Sequence, residues 1–362
     1  MTLPQIRVML VDDSAVVRGA IGRMLDGAGD IKVVTTATNG RQALEALKHT
    51  VVDVVLLDVE MPEMDGITVL PLILERHPGV RVVMQSSLTQ EGAAITMQAL
   101  SLGATDFIAK PTAKGTTGLA AMEQEVIGKV RAIGRSVVRR ATANGSGPKV
   151  TAPAPSASRT RSIISGTDAT RPQCLAIAAS TGGPNALAEV LSHLSKDVTV
   201  PIVITQHMPP VFTGLLAQRL ARDSGRDCVE AKQGMPLQPG RVHLAPGDFH
   251  MLVATHEGAP FLRLTQTDPE NHCRPAADPM FRSVASVYGA GALVVVLTGM
   301  GEDGRRGCES IRERGGRVIV QDEATSVVWG MPGAVAQAGL ADAVLPVTEI
   351  APRIAAICGG AA

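Results

Sequence analysis

The stretch IRVMLVDDSAVVRGAIGRML, residues 6–25, decides how the chain is to be read. A β-favouring apolar run ends on Asp12 and Asp13, and the segment after Ser14 repeats its apolar residues at helical spacing. The same couplet recurs as IKVVTTA then RQALEALKH, VDVVLLDV then ITVLPLILER, VRVVMQSS then AAITMQALSLG, and DFIAK then AMEQEVIGKVRAI. Five strands, each followed by a helix, imply a parallel sheet covered on both faces, so residues 1–138 read as a doubly wound α/β domain. CLAIAAS, VPIVITQH, ALVVVLTG and RVIVQD repeat the habit in residues 172–362, a second doubly wound, mostly parallel α/β domain. Around VHLAPGDFHMLVATHEGAPFLRLTQ an antiparallel hairpin excursion is expected to interrupt it.

Between the two, residues 139–171 carry Pro148, Pro153, Pro155 and repeated Ser, Thr and Ala without an aromatic, and read as a flexible linker. Its random-coil span is on the order of 30 Å, so the flanking domains could touch or separate. Its six Lys or Arg against one acidic residue suit either a solvated tether or docking to an acidic surface.

Composition removes several classes of function. The 362 residues balance 34 Lys and Arg against 34 Asp and Glu, and 2% are aromatic, leaving neither an attraction for a polyanion nor rings for base stacking; no nucleic-acid partner is expected. Five scattered cysteines, never spaced C-x-x-C, suggest neither a disulfide framework nor a zinc site. The amino terminus meets Asp12 and Asp13 before a signal-type core can form, and no apolar run approaches the ~18 residues that span a bilayer, so a soluble, cytoplasmic monomer without membrane insertion is expected.

In an open parallel sheet, residues that end different strands meet in one crevice. That rule gathers Asp12 and Asp13, Asp58, Ser86 and Lys110. Three carboxylates together call for a cation, and oxygen-only ligands suit Mg²⁺; its open positions could take a phosphoryl oxygen, with Ser86 and Lys110 neutralising the others and Asp58 as nucleophile. Taken singly, Asp12 and Asp13 could cap a helix, Asp58 could open a turn, and Lys110 could be a surface lysine.

In the second domain, Ser180 ends a predicted strand before Thr181, Gly182 and Gly183 and a helix-like run, where free N–H groups favour a developing oxyanion. His207 ends the next strand, and Asp303 lies in a Gly-rich loop beyond a third. Together they can form a nucleophile, base and orienting carboxylate. Separately they read as a helix cap, a structural histidine and a turn residue, and the glycine pair as a phosphate-binding turn. His243, His250 and His256 read as polar-face residues of a hairpin rather than metal ligands.

VDDSAVVR, LLDVEMPEMDGI, MQSS and AKP resemble the receiver domain of two-component response regulators, a flavodoxin-like (βα)5 fold. By that resemblance Asp58 is the phospho-acceptor, Asp12 and Asp13 join it as Mg²⁺ ligands, Ser86 is the switch hydroxyl, Lys110 the phosphate-contacting lysine and Phe107 the switch aromatic. AASTGGPNAL, TQHMPPVFT, LAPGDFHM, LTGMGEDG and DEATSVVWGMPGAV resemble the catalytic domain of the CheB family of chemotaxis protein-glutamate methylesterases. That resemblance implies Ser180 as nucleophile, His207 as base then acid, Asp303 as its orienting carboxylate, and backbone near Thr181 and Met300 as the oxyanion site. It implies hydrolysis of γ-methyl esters on methyl-accepting chemotaxis receptors with release of methanol, deamidation of receptor glutamines, a chemotaxis histidine kinase as phosphodonor, and no cofactor in the esterase step. The chain departs from the family's H-R-P run, because Cys273 stands between His272 and Arg274; Glu302 and Ser326 replace the usual Asn and Cys. A catalytically silent binding domain and a transcriptional regulator remain competing readings.

Overall fold

The computed structural model describes residues 4–87, 89–110, 116–145 and 170–359, with side chains of 122–140 described within the 116–145 segment. The first part runs β1 (Ile6–Val11), α1 (Ala15–Asp26), β2 (Ile31–Ala37), α2 (Gly40–Leu47), β3 (Val54–Asp58), α3 (Gly66–Arg76), β4 (Arg81–Ser86), α4 (Gln90–Ser101), β5 (Asp106–Ala109) and α5 (Thr116–Gly145). Its strands pair in parallel in the order β2-β1-β3-β4-β5. β3 is buried along its whole length, as a strand with helices on both faces must be, whereas the edge strand β2 alternates. Ser14, Asn39, Asp65 and Thr89 cap α1 to α4 through their side chains. Capping of α1 therefore falls to Ser14, and Asp12 and Asp13 are left for other work.

The second part runs β6 (Cys174–Ala179), α6 (Gly183–His193), β7 (Ile202–Gln206), α7 (Pro210–Ser224), β8 (Cys228–Glu230), β9 (Val242–Leu244), β10 (His250–His256), β11 (Ala259–Thr265), α8 (Ala277–Tyr288), β12 (Ala292–Val296), α9 (Arg305–Glu313), β13 (Arg317–Gln321), α10 (Met331–Gln337), β14 (Ala343–Leu345) and α11 (Val347–Cys358). Seven strands pair in parallel in the order β14-β13-β12-β6-β7-β9-β8. The expected antiparallel excursion is smaller than its sequence suggested. Among the described strands only β10 and β11 pair antiparallel, with Pro236 bridging to Phe261 of β11, while Val242–Leu244 joins the main sheet in parallel. His243 and His250 are correspondingly buried, contrary to a polar-face placement, and only His256 is exposed.

α5 continues to Gly145, so residues 139–145, read as part of the tether, are helical; residues 146–169 lie outside the described residues. Among the described residues, no helix is long and apolar enough to cross a membrane. Of the three buried apolar clusters, two contain residues of both parts. α4 packs on α7, Phe107 of β5 stacks on Phe212 of α7 with ring centroids 4.2 Å apart, and Val328 belongs to the buried cluster that holds Ile6, Val8 and Leu10.

Candidate functional site

Each sheet reverses its winding direction once, and a doubly wound sheet opens its crevice at that point. In the first sheet the reversal lies between β1 and β3. Asp12, Asp13 and Asp58 meet there, with one carboxylate oxygen from each lying within 4.8 Å of the others. Lys110 Nζ is 2.6 Å from Asp58 Oδ1 and 3.6 Å from Asp12 Oδ2. Asp12 Oδ2 and Asp58 Oδ2 are buried without a hydrogen bond, which is the donor set that a hard, oxygen-seeking cation completes. Burial pushes the Asp58 carboxyl up to about 6, against the pull of Lys110 and with help from the neighbouring Asp12 charge. Ser86 is turned away from this cluster. Its hydroxyl accepts from Thr96 Oγ1 at 2.6 Å and approaches the Gly92 carbonyl at 3.2 Å. Phe107 points to the other part of the chain, under Lys129, whose ammonium lies 5.1 Å from the ring centre and donates to the Phe107 carbonyl.

In the second sheet the reversal lies at β6, flanked by β7 and β12. Ala179 pairs with Gln206, so Ser180 and His207 follow at adjacent strand ends, and the His207 N–H donates to Ala179 O. The Ser180 N–H donates to Thr298 O, which fastens the serine to the loop after β12. Gly182 starts α6 at φ 77°, and a Cβ there would lie 2.5 Å from Val327, so glycine is required both by backbone and by space. Thr298 Oγ1 donates to Thr181 O. Among the described residues, no hydrogen bond occupies the backbone N–H of Thr181 or Met300. Those two donors are therefore free for an anionic oxygen.

Asp303 Oδ2 is 2.7 Å from His207 Nε2. The ionised carboxylate can only accept, so Nε2 carries the proton and Nδ1 is the basic nitrogen. Asp303 also accepts from the N–H groups of Ala277, Asp278 and Gly304 and from Asn271 Nδ2. Burial would raise the Asp303 carboxyl, but His207 and these amides outweigh it and hold it below the ordinary carboxylate range. Burial likewise disfavours a charged His207, but Asp303 and Cys273 together more than reverse that, raising the imidazole above its ordinary value. Cys273 Sγ stands 3.4 Å from Nδ1 and adds to the rise. Ser180 Oγ makes no hydrogen bond to His207 among the described residues.

The structure thus brings Asp12, Asp13, Asp58 and Lys110 into one pocket, and Ser180, Thr181, His207, Met300 and Asp303 to one strand-end crevice. Asn271 and Asp278 escaped sequence reasoning, and Cys273, noted there as a departure from the family's run, had no assigned role. Asn271 bridges Asp303 to Asp278, Asp278 accepts from the Gly307 N–H, and Cys273 touches the base. Positive φ at Asn271 and His272 marks the tight turn that delivers them, and an E-N-H-C run gives no periodic signal for it.

The receiver-like part rims the crevice. A Cβ on Gly128 of α5 would lie 3.3 Å from Met300 Cε, Arg140 donates to Ala324 O and Ser326 O, and Arg139 pairs with Glu323. A cavity of about 500 Å³ remains between α5 and the 323–330 loop, beside Trp329.

A family model described as CheB methylesterase matches residues 175–354, and one described as response regulator receiver domain matches residues 8–120. The chain is 48% identical to a protein-glutamate methylesterase/protein-glutamine glutaminase of Azospirillum brasilense, covering 96% of this chain and 92% of that one. It is 49% identical to protein-glutamate methylesterase/protein-glutamine glutaminase 2 of Caulobacter vibrioides, covering 96% and 98%. The crystal structure of the Thermotoga maritima CheB methylesterase catalytic domain matches with a TM-score of 0.50 and 40% identity, covering 51% of this chain and 98% of that one.

Proposed function

The chain belongs to the CheB methylesterase family and is a protein-glutamate methylesterase with a receiver domain, and from that premise we propose that phosphorylation at Asp58 controls ester hydrolysis at Ser180. The observation that supports this most is the His207–Asp303 pair at the end of β7, next to Ser180 at the end of β6. The receiver occupies residues 1–138, the connector 139–171 and the esterase 172–362, with the connector beginning as a continuation of α5.

His207 Nδ1 removes the Ser180 proton as Oγ bonds to the γ-carbonyl carbon of a methylated glutamate. The carbonyl electrons move to oxygen, and the N–H groups of Thr181 and Met300 receive that oxyanion. The same Nδ1 returns its proton to the departing methoxy oxygen, so methanol leaves an acyl-serine. Water, deprotonated by Nδ1, then adds to the acyl carbon, the bond from that carbon to Oγ breaks, and Nδ1 returns its proton to Ser180 Oγ as the glutamate carboxylate leaves. A glutamine side chain would lose ammonia by the same steps. The substrates are glutamyl side chains of methyl-accepting chemotaxis receptors, and the esterase step uses no cofactor.

In the receiver, Asp12, Asp13 and Asp58 would hold Mg²⁺, which supplies charge neutralisation for the phosphoryl oxygens. Lys110 neutralises a further oxygen, and Asp58 takes the phosphoryl group from a chemotaxis histidine kinase. Ser86 leaves Thr96 to meet that group, Phe107 follows, and the Phe107–Phe212 stack loosens. The protein acts as a cytoplasmic monomer.

Methanol release from methylated receptor membranes tests this reading. Wild type should release methanol faster with a small phosphodonor and Mg²⁺, Ser180→Ala should release none, and Asp58→Ala should ignore the phosphodonor. Normal Asp58 labelling with no methanol from wild type would mark the second domain as a silent binding module instead.

A further inference from the structure

We propose that Cys273 is a positioning residue for the general base: its sulfur holds His207 Nδ1 in the resting site and gives that nitrogen up when Ser180 engages it. This rests on the methylesterase reading above. His207 has two ring nitrogens, and Nε2 is committed to Asp303 at 2.7 Å. Nδ1 offers one lone pair, so it can accept from one donor at a time. In the resting arrangement its neighbour is Cys273 Sγ at 3.4 Å, and Ser180 Oγ is not bonded to it. A hydrogen bond to sulfur at that distance is weak, so a hydroxyl carried forward by bound substrate can displace it.

The sulfur is held in place by its own backbone. Cys273 N–H donates to Glu270 O and Glu270 N–H donates back to Cys273 O, closing the turn through Asn271 and His272. The following Arg274 fixes the turn from outside through two bonds to Asp248 Oδ1, at 2.9 and 2.6 Å. The same turn carries Asn271, whose amide holds Asp303 Oδ1 at 2.8 Å. One four-residue turn thus grips His207 at both ring nitrogens, at Nδ1 directly and at Nε2 through Asp303. Of the five cysteines, Cys174, Cys228, Cys308 and Cys358 are buried, and Cys273 alone is partly open to solvent.

The charged and titratable groups around the imidazole are Asp303 from the loop after β12 and Cys273 from the turn, with Asp278 and Arg282 of α8 behind Asp303. Asp303 persists when Cys273 is replaced. What is lost is a sulfur partner that can accept from the protonated ring and so raises the imidazole. Cys273→Ala should therefore move the acidic limb of the pH–rate profile to lower pH, by up to about one unit. Cys273→Ser keeps a donor for Nδ1, so it should restore turnover lost in Cys273→Ala.

The experiment has two arms on the full-length protein. The first records pH profiles of methanol release for wild type, Cys273→Ala and Cys273→Ser. The second measures alkylation of Cys273 by iodoacetamide at pH 7, in which the sulfur bonds to carbon and iodide leaves, mapped by mass spectrometry in wild type and His207→Gln. Losing the imidazole should slow alkylation about tenfold, because the thiolate is the reacting form. Equal alkylation rates overturn the pairing. A fall in turnover with an unmoved acidic limb overturns the positioning role and leaves Cys273 as packing. If wild type releases no methanol while alkylation still depends on His207, the methylesterase reading fails and the pairing stands.

Discussion

Asp58 sits in a pocket that is unfavourable for it until a cation or a phosphoryl group arrives. Burial lifts its carboxyl to about 6, and Asp12 adds to that, while Lys110 and the Glu60 N–H oppose it. An unfolded aspartate titrates near about 4, so between about pH 4 and 6 the native state binds more protons than the unfolded state. Stability from this group is therefore favourable below about pH 4 and falls as pH rises, with the whole cost present above about pH 6. Asp58→Asn should stabilise the metal-free protein at pH 7.5 by on the order of 2 kcal/mol, and the gain should vanish at pH 4. Denaturant unfolding at the two pH values checks this, and an equal gain at both would refute the buried-charge explanation. Asn271 poses a second test at this scale. Its amide separates the Asp278 and Asp303 carboxylates, and Asn271→Gly keeps the left-handed turn while removing that donor. We expect a loss of about 1 to 3 kcal/mol, because two buried acceptors lose a partner, together with a lower kcat for methanol release.

At the level of elements, the chain was legible wherever a strand is long and buried on both faces. The apolar runs at β1, β3, β6, β7 and β12 end at Asp12, Asp58, Ser180, His207 and just before Asp303, and the winding reversals then bring those ends together. β8, β9 and β14 were not legible as sheet strands. Each has three residues, too few to show a period, and their pairing depends on the strands already present. The length of α5 was hidden for a different reason. Arg139 and Arg140 read as the start of a polar tether, yet they find partners on the esterase part at Glu323, Ala324 and Ser326. Tertiary contact decided that helix end, not local propensity. The Phe107–Phe212 stack is likewise invisible to any local pattern, since the two rings lie on different domains. Phe107→Leu keeps an apolar side chain and removes the stack, worth about 0.5 to 1.5 kcal/mol. It should raise methanol release without phosphodonor and shrink the response to phosphodonor; unchanged basal release would separate this contact from control of the site.

For the whole molecule, the question is whether the receiver's position on the esterase restrains it. The junction combines an apolar core with few polar ties. Asn185 Nδ2 donates to Ala104 O and is itself held by Arg219, Arg140 donates to two carbonyls of the 324–326 loop, and the exposed Arg139–Glu323 pair contributes little in salt. A cavity also lies in this junction beside Trp329, and a bias of a few kcal/mol toward a second arrangement suffices to shift its population. The junction reaches the residues proposed for the esterase crevice, because Met300 faces Gly128 and Val328 belongs to a buried cluster otherwise centred on receiver residues. Phosphodonor with Mg²⁺ should therefore increase amide hydrogen exchange in β5, in the first turn of α7 and across residues 326–330, while the strands around β6 keep their protection. The same treatment of Asp58→Ala should leave all of these unchanged. Removing residues 1–169 is the stronger intervention, and a catalytic domain 40% identical has been crystallised as a separate chain. That fragment should release methanol faster than the unphosphorylated full-length protein, and its rate should ignore phosphodonor. A folded fragment with an equal or lower rate would mean that the receiver supports the crevice instead of covering it, and that phosphorylation acts by tightening the junction.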